Sequence, residues 1–108
     1  MPNTMIEILT LNLKPGTRNI FHKLYLAESL PLLKKWKIKA VAHGPSLHDE
    51  NTYYVIRSFK DLEDRQKAED AFYSSDDWQK GPRTAIVAVI ESLATIVVLL
   101  DTLKESSA

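Results

Sequence analysis

The sequence predicts an α+β fold in which helices cover one face of a four-stranded antiparallel sheet. Two observations support this. Four strand-like segments are separated by segments of helical periodicity or turns, and the last strand, from Ala94 to Leu100, is apolar at odd and even positions alike. A strand with one face in water alternates apolar and polar residues, so this strand must be covered on both faces. The helices suffice for one face, which indicates that a second copy of the chain covers the other.

Length and composition restrict the class of protein. With 108 residues, 44% hydrophobic and 26% charged, the chain fits one domain over residues 1–108 with its core at about 5–100. The chain has 14 basic and 14 acidic residues, so it has no net positive charge that would attract nucleic acid or an anionic membrane. The absence of cysteine excludes disulfides, thiolate nucleophiles and Cys-ligated metal sites.

No segment of the sequence predicts targeting or membrane insertion. The N-terminal residues lack the basic and apolar regions of a signal peptide, so we assign the cytoplasm by default. The apolar stretch from Ala85 to Leu100 is shorter than the roughly 20 residues of a spanning helix. Because Glu91 and Ser92 interrupt it, we interpret it as two elements joined by a polar corner.

The first half of the chain predicts a strand and then an interrupted helix. Apolar residues recur over Met5–Leu13, and Pro15 and Gly16 stop that strand. Thr17 can cap a helix whose apolar residues follow at helical spacing. Within that pattern Pro31 removes a backbone hydrogen bond and crowds the preceding turn, which predicts a kink.

Strands two and three, residues 37–44 and 52–59, are predicted to form a hairpin around a polar loop. If Leu47 lies opposite Thr52, His43 and Tyr54 share one face of the sheet and Arg57 lies on the other. A slip of one residue would change these pairs.

The second half predicts two more helices and the last strand. Asp61 caps the first helix, with Asp64 at the third helical position as in a capping box. Pro82 opens a shorter helix that Ser92 closes, and residues from Thr102 onward form a frayed polar tail. The resulting order β-α-β-β-α-(short α)-β is the ferredoxin-like arrangement. Two such sheets packed about a two-fold axis would bury the apolar face, so the predicted partner is a second copy, in a homodimer or higher oligomer.

Several short motifs together resemble the NIPSNAP family over residues from about 5 to 100. They are Ile6-Glu7-Ile8, Lys14-Pro15-Gly16, Leu30-Pro31-Leu32, Ser58-Phe59, Asp61-Leu62-Glu63-Asp64-Arg65, Asp77-Trp78 and Gly81-Pro82-Arg83. Their order and spacing carry the resemblance. It implies the dimeric α/β barrel fold, in which two ferredoxin-like sheets pair. One position departs from the pattern, because Leu9 stands where the family often has arginine.

The resemblance implies little about activity. The NIPSNAP family has no agreed reaction, whereas its superfamily includes small monooxygenases that act on polyketide or quinone-like substrates, and haem-degrading enzymes. Because a shared fold does not transfer chemistry, the site must be argued from residues.

Five side chains are candidates for contacting a ligand. They are His43, Tyr54, Arg83, Trp36 and Trp78. A histidine on an apolar strand needs a partner or a ligand, a tyrosine can donate a hydrogen bond, and an arginine at a helix start suits an anion. Two tryptophans over one sheet would suit a planar ligand.

Each candidate also has a structural alternative. The histidine can make a structural hydrogen bond, the tyrosine can pack in its strand, the arginine can pair with Asp76 or Asp77, and the tryptophans can fill the core.

Other charged residues have simpler interpretations. Arg57 is predicted to pair with an acid such as Glu7, in the dimer interface. The acidic run from Asp61 to Asp70, with Arg65 interleaved, is typical of a solvated helix face. No paired-histidine spacing, catalytic triad or glycine-rich loop is present, so no metal, cofactor or catalytic residue is predicted.

These observations favour a homodimer with a small, mostly apolar pocket between helices and sheet in each subunit, which binds a small apolar or aromatic ligand or modifies it modestly. One alternative is a cofactor-independent monooxygenase in which His43 or Tyr54 moves a proton. Another is a non-enzymatic scaffold whose outward helices recruit protein partners.

Overall fold

The computed structural model describes residues 4–105, with side chains as far as residue 103, and shows the predicted alternation of strands and helices. The elements are β1 (Met5–Leu13), α1 (Arg18–Leu24), a π-helical turn (Tyr25–Ser29), α2 (Leu30–Lys35), β2 (Lys39–Pro45), β3 (Thr52–Phe59), α3 (Leu62–Ser74), α4 (Asp76–Gln79), α5 (Arg83–Val89), β4 (Ile90–Leu99) and α6 (Leu100–Glu105). The predicted α+β class is confirmed.

The four strands form one antiparallel sheet in the order β2-β3-β1-β4. In β1 and β3 the odd-numbered residues face the helices, and this alternation places every odd residue of β3 in the interior. The buried core lies between these strands and the helices. It comprises Leu11, Leu13, Phe21, Tyr25, Leu33, Ile38, Tyr53, Val55, Phe59, Phe72 and Ile86.

The register predicted for the hairpin is wrong by one residue. Ser46, and not Leu47, lies opposite Thr52, whose carbonyl accepts a hydrogen bond of 2.9 Å from the Ser46 N–H. His43 is therefore opposite Val55 and faces the helices, whereas Tyr54 is on the other face. A one-residue slip exchanges the two faces of a strand, and a polar loop does not specify its own length.

The last strand begins earlier than predicted. Helix α5 ends at Val89, and Glu91 and Ser92 belong to β4 instead of forming a corner. Ser92 is accommodated because its hydroxyl accepts a hydrogen bond of 3.0 Å from the side chain of Asn12 on β1. The predicted frayed tail is helical as far as residue 105, as helix α6, and residues 106–108 lie outside the described part of the chain.

Strand β4 is an edge strand and carries apolar residues toward solvent on both faces. Leu93, on the helix side, is 55% exposed, and Ile96, on the helix-free side, is 57% exposed. The helices of one chain thus leave part of both faces of β4 uncovered. Among the described residues, no helix is long and apolar enough to cross a membrane.

Substituting Gly81 by alanine tests how closely the backbone at Gly81 approaches α4. A Cβ atom at this position would clash with the backbone carbonyl oxygen of Asp77. We expect Gly81→Ala to lower the free energy of unfolding by about 1–3 kcal/mol, as overpacking does. The matched control is Lys80→Ala, because Lys80 is exposed and its change should cost less than about 0.5 kcal/mol. Urea unfolding followed by tryptophan fluorescence measures both, and equal stabilities would contradict the clash.

Candidate functional site

A cavity of about 400 Å³ lies between the helix layer and the sheet. Its walls are mostly apolar: Leu9, Leu11 and Val55 come from the strands, and Phe72 and Trp78 come from the helices. The cavity opens to solvent beside α5 and β4, which contribute exposed residues to its lining. The structure therefore contains a cavity of the kind that the sequence predicted.

Four charged side chains form one polar wall of this cavity, which we call the carboxylate–guanidinium cluster: Glu7, Arg57, Arg65 and Glu69. Both oxygens of Glu7 are occupied, because Arg57 Nε donates to one at 2.6 Å and Arg65 Nε donates to the other at 2.6 Å. Glu69 is held more loosely, by Arg57 at 3.2 Å and by Arg65 at 3.4 Å. The Tyr73 hydroxyl accepts a further hydrogen bond of 2.8 Å from Arg57.

The fold brings this cluster together from two strands and one helix. Glu7 and Arg57 lie directly opposite each other in the β1–β3 pairing. Arg65 and Glu69 are four residues apart on α3, so they share one face of that helix. The start of α3 is fixed by Asp61, whose carboxylate accepts a hydrogen bond of 2.7 Å from the Asp64 N–H.

Two predictions about these charges need correction. The predicted pairing of Arg57 with Glu7 is observed, but on the helix-covered face of the sheet. The face of α3 that carries Arg65 and Glu69 is not solvated, because their side chains are only 23% and 15% exposed. Arg65 turns inward to neutralise Glu7, which is 1% exposed and cannot stay charged there without cations. Glu69 lies one turn later on the same face of α3 and turns inward with it.

The two carboxyl groups titrate very differently. Burial and the neighbouring Glu7 carboxyl raise the pKa of Glu69 to about 7, against the opposing charges of Arg57 and Arg65. Burial also acts to raise the pKa of Glu7. The hydrogen bond from the Glu69 carboxyl and the two arginines outweigh it and hold that pKa below its ordinary value. Of the two carboxyls, Glu69 is therefore the one that gains and loses a proton around pH 7.

Two buried hydroxyl groups in the cavity wall have no hydrogen-bond partner among the described residues: Tyr25 Oη and Ser29 Oγ. Each residue is only 4% exposed. An unsatisfied buried polar group costs about 1–3 kcal/mol, so the two hydroxyls lower the stability of the ligand-free protein. Burial raises the pKa of Tyr25 to about 12, which keeps its hydroxyl protonated and able to donate.

Both hydroxyls belong to the π-helical turn, which accounts for the irregularity predicted at Pro31. The Leu30 N–H donates to the carbonyl of Tyr25, five residues back, immediately before the proline. A proline in a regular helix lacks one donor and crowds the carbonyl four residues earlier, and the wider turn accommodates it. This turn carries Tyr25 at its first position and Ser29 at its last, and both face the cavity.

Of the five candidates predicted from the sequence, Trp78 lines the cavity. It packs against Phe72 and Tyr73 with ring centroids 5.5 and 5.4 Å away. Trp36 lies outside the lining and donates from Nε1 to Asp77 at 3.1 Å. That carboxylate also accepts from Lys35 at 2.8 Å, so it ties the end of α2 to α4.

His43 lies behind the cavity wall. Its Nδ1 is 3.1 Å from the hydroxyl of Tyr53, which also lies 2.8 Å from Nδ1 of His22. The His43 ring packs against Tyr25 with centroids 5.0 Å apart. His43 thus does not line the cavity. It supports Tyr25, which does.

The other two candidates are separated from the cavity. The ring of Tyr54 packs over Gly44 on the helix-free face. Arg83 is exposed at the start of α5, and Asp76 and Asp77 pair with Lys80 and Lys35 instead. Among the described residues, no group of side chains could hold a metal ion.

Sequence reasoning missed Glu69, Arg65, Tyr25 and Ser29 as cavity residues. The sequence contained one signal for this cluster. Glu7 occupies an inward position of β1 among apolar residues, so its charge requires buried cations nearby. The helix positions that supply those cations depend on how α3 crosses the sheet.

The raised pKa of Glu69 predicts a pH-dependent stability. Its folded-state pKa of about 7 exceeds the ordinary value of 4.5, so the folded protein holds more protons than the unfolded chain between these values. The free energy of unfolding should therefore fall as the pH rises from about 4.5 to 7. Urea unfolding across this range should show this decline in the native protein and not in Glu69→Gln. Glu63→Gln, on the exposed face of the same helix, is the control and should retain the decline. An equal decline in Glu69→Gln would contradict the assignment.

Comparisons with known proteins agree with this architecture. The structure is similar to crystal structures of two NIPSNAP family proteins from Agrobacterium tumefaciens. One has a TM-score of 0.84 and 14% identity over 92% of this chain and 87% of that chain. The other, of unknown function, has a TM-score of 0.84 and 21% identity over 91% and 88% of the two chains.

An antibiotic biosynthesis monooxygenase-like protein from Bordetella bronchiseptica shares the fold, with a TM-score of 0.71 and 17% identity over 89% of this chain and 95% of that chain. No curated protein matches the sequence. The NIPSNAP family model matches residues 6–100, which is nearly the whole chain. The chain belongs to the NIPSNAP family, whose function is unknown.

Proposed function

We propose that this protein binds a small, largely apolar and planar ligand that carries a hydrogen-bond acceptor such as a carbonyl oxygen. The observation that carries the proposal is the pair of buried hydroxyls of Tyr25 and Ser29, without partners among the described residues, in the wall of an otherwise apolar cavity. Native interiors rarely leave such groups unpaired, and a ligand acceptor would satisfy them.

The size and lining of the cavity support this ligand class. A volume of about 400 Å³ lies within the roughly 300–1,000 Å³ typical of small-molecule sites. Phe21, Phe72 and Trp78 contribute aromatic surface, which suits a planar apolar body. The charged groups of the carboxylate–guanidinium cluster pair with one another at 2.6 Å, so a neutral ligand is compatible with the cavity.

A second copy of the chain is part of this proposal, because the cavity opens beside the edge strand β4. The opening is lined by Val87 and Leu93, which are 48% and 55% exposed. On the helix-free face, Ile8 lies opposite both Ile56 and Ile96, which makes an apolar stripe across three strands. A homodimer that covers this stripe and β4 would bury apolar surface that monomers seldom expose.

A cofactor-independent monooxygenase is the second candidate. The fold shared with a monooxygenase-like protein and the presence of a titratable carboxyl in the cavity favour it. It differs from simple binding by consumption of oxygen, so an oxygen electrode with bound 1-naphthol distinguishes the two.

Removing the buried hydroxyls should raise the stability of the protein and weaken its binding of the ligand. We expect Tyr25→Phe and Ser29→Ala each to raise the free energy of unfolding of the empty protein by about 1 kcal/mol, because each removes an unsatisfied group. The probe is phenylacetone, a small benzyl ketone, and its binding is followed by intrinsic tryptophan fluorescence and thermal shift. Tyr25→Phe should weaken its binding about 5–10-fold, as loss of one hydrogen bond does.

Isobutylbenzene, which has the same shape without the carbonyl, is the ligand control and should bind both proteins equally. Tyr54→Phe, on the helix-free face, is the protein control and should leave ketone binding unchanged. If neither ketones nor phenols bind the native protein, the ligand-binding proposal fails and the scaffold alternative is favoured.

Charge placed on the apolar stripe should prevent self-association. Ile96→Asp puts a carboxylate into the proposed interface, so sedimentation at micromolar protein should show a dimer for the native chain and a monomer for the variant. Leu47→Asp, the same kind of change in a fully exposed loop, should remain dimeric. A native chain that sediments as a monomer would refute the homodimer.

A further inference from the structure

We propose that Glu69 accepts a proton from the ligand, and that the ligand class is ketones whose α C–H bond is activated by a neighbouring aromatic ring. This inference rests on the proposed binding of an apolar ligand with a carbonyl group. It assigns the cavity a reaction class, reversible enolisation, which needs no metal and no oxidant.

Geometry distinguishes Glu69 from Glu7 as the proton acceptor. Glu7 has each oxygen fixed by an arginine nitrogen at 2.6 Å, so its charged form is stabilised and its lone pairs are already used. Glu69 has longer contacts, 3.2 and 3.4 Å, and its side chain keeps 15% of its surface exposed while it lines the cavity. Glu69 is therefore the carboxylate whose lone pairs can reach a ligand.

The surroundings of Glu69 suit a base that works near neutral pH. The groups facing it are Glu7 from β1, Arg57 from β3, and Arg65 from its own helix, with Tyr73 in contact with Arg57. Burial and Glu7 raise the pKa of Glu69 to about 7, so both the base and its conjugate acid are present at that pH. A base with this balance can both remove and return a proton.

Enolisation also requires donors that stabilise the negative oxygen of the enolate, and the hydroxyls of Tyr25 and Ser29 can supply them. Both hydroxyls line the same cavity and have no partner among the described residues. Burial keeps the Tyr25 hydroxyl protonated, with a pKa of about 12, so it can donate to a developing oxyanion. The charge of Arg57 acts on Tyr25 as well and favours negative charge at this end of the cavity.

The step balances without any further reactant. The α C–H bond of the ketone breaks, its proton moves to a carboxylate oxygen of Glu69, and its electron pair forms the C=C bond of the enolate. The carbonyl oxygen takes the negative charge and accepts hydrogen bonds from the hydroxyls. Return of a proton from Glu69 to carbon restores the ketone. In D₂O the returned hydrogen is a deuteron, because the carboxyl exchanges with solvent.

The test is deuterium exchange at the benzylic carbon of phenylacetone in D₂O, followed by proton NMR, with binding measured in parallel by intrinsic tryptophan fluorescence. The native protein should accelerate exchange above buffer, with a rate that rises through about pH 7 and then levels off. Glu69→Gln should lose about 100-fold of that acceleration while it still binds the ketone. Glu69→Asp should retain part of the activity with a shifted pH profile.

Glu63→Gln, an equivalent change on the exposed face of α3, is the control and should exchange at the native rate. If the native protein binds phenylacetone and Glu69→Gln exchanges it as fast, the proton-transfer role is refuted and the binding proposal stands. If the native protein does not bind the ketone, the proposed ligand class is wrong and this inference falls with it.

Discussion

The buried charge of Glu7 is the constraint on which the rest of the site depends. A carboxylate that is 1% exposed requires cations at hydrogen-bond distance, and Arg57 and Arg65 supply them at 2.6 Å each. These contacts tie β1 to β3 and the sheet to α3. They also oblige α3 to cross the sheet with its charged face inward, and this leaves Glu69 beside the cavity with less of its charge neutralised.

The cavity follows from a second departure from regular structure. Pro31 is accommodated by a π-helical turn, and the residues at the two ends of that turn project hydroxyls into an apolar space without partners among the described residues. The carboxylate–guanidinium cluster and the two hydroxyl donors therefore line one cavity, together with apolar and aromatic side chains. Such an arrangement costs stability in the empty protein, which is typical of sites that bind a ligand.

Strand β4 links the site to assembly. Within the described part of the chain this edge strand pairs with β1 alone, and part of each of its faces lacks cover from its own chain. The same strand contributes Leu93 and Thr95 to the cavity opening. A partner on β4 would therefore also change how far the cavity opens to solvent.

Much of the fold is local and could be predicted from the sequence. The element order could be predicted because its signals act within a few residues. These signals are the end of β1 at Pro15 and Gly16, the cap at Asp61, and a last strand that is apolar on both faces. The tertiary structure alone decided the hairpin register, since a single-residue difference in the loop exchanges two faces and moved His43 away from Tyr54. It also decided the partners of Glu7, because contacts such as Glu7 with Arg65, fifty-eight residues apart, depend on how a helix crosses a sheet.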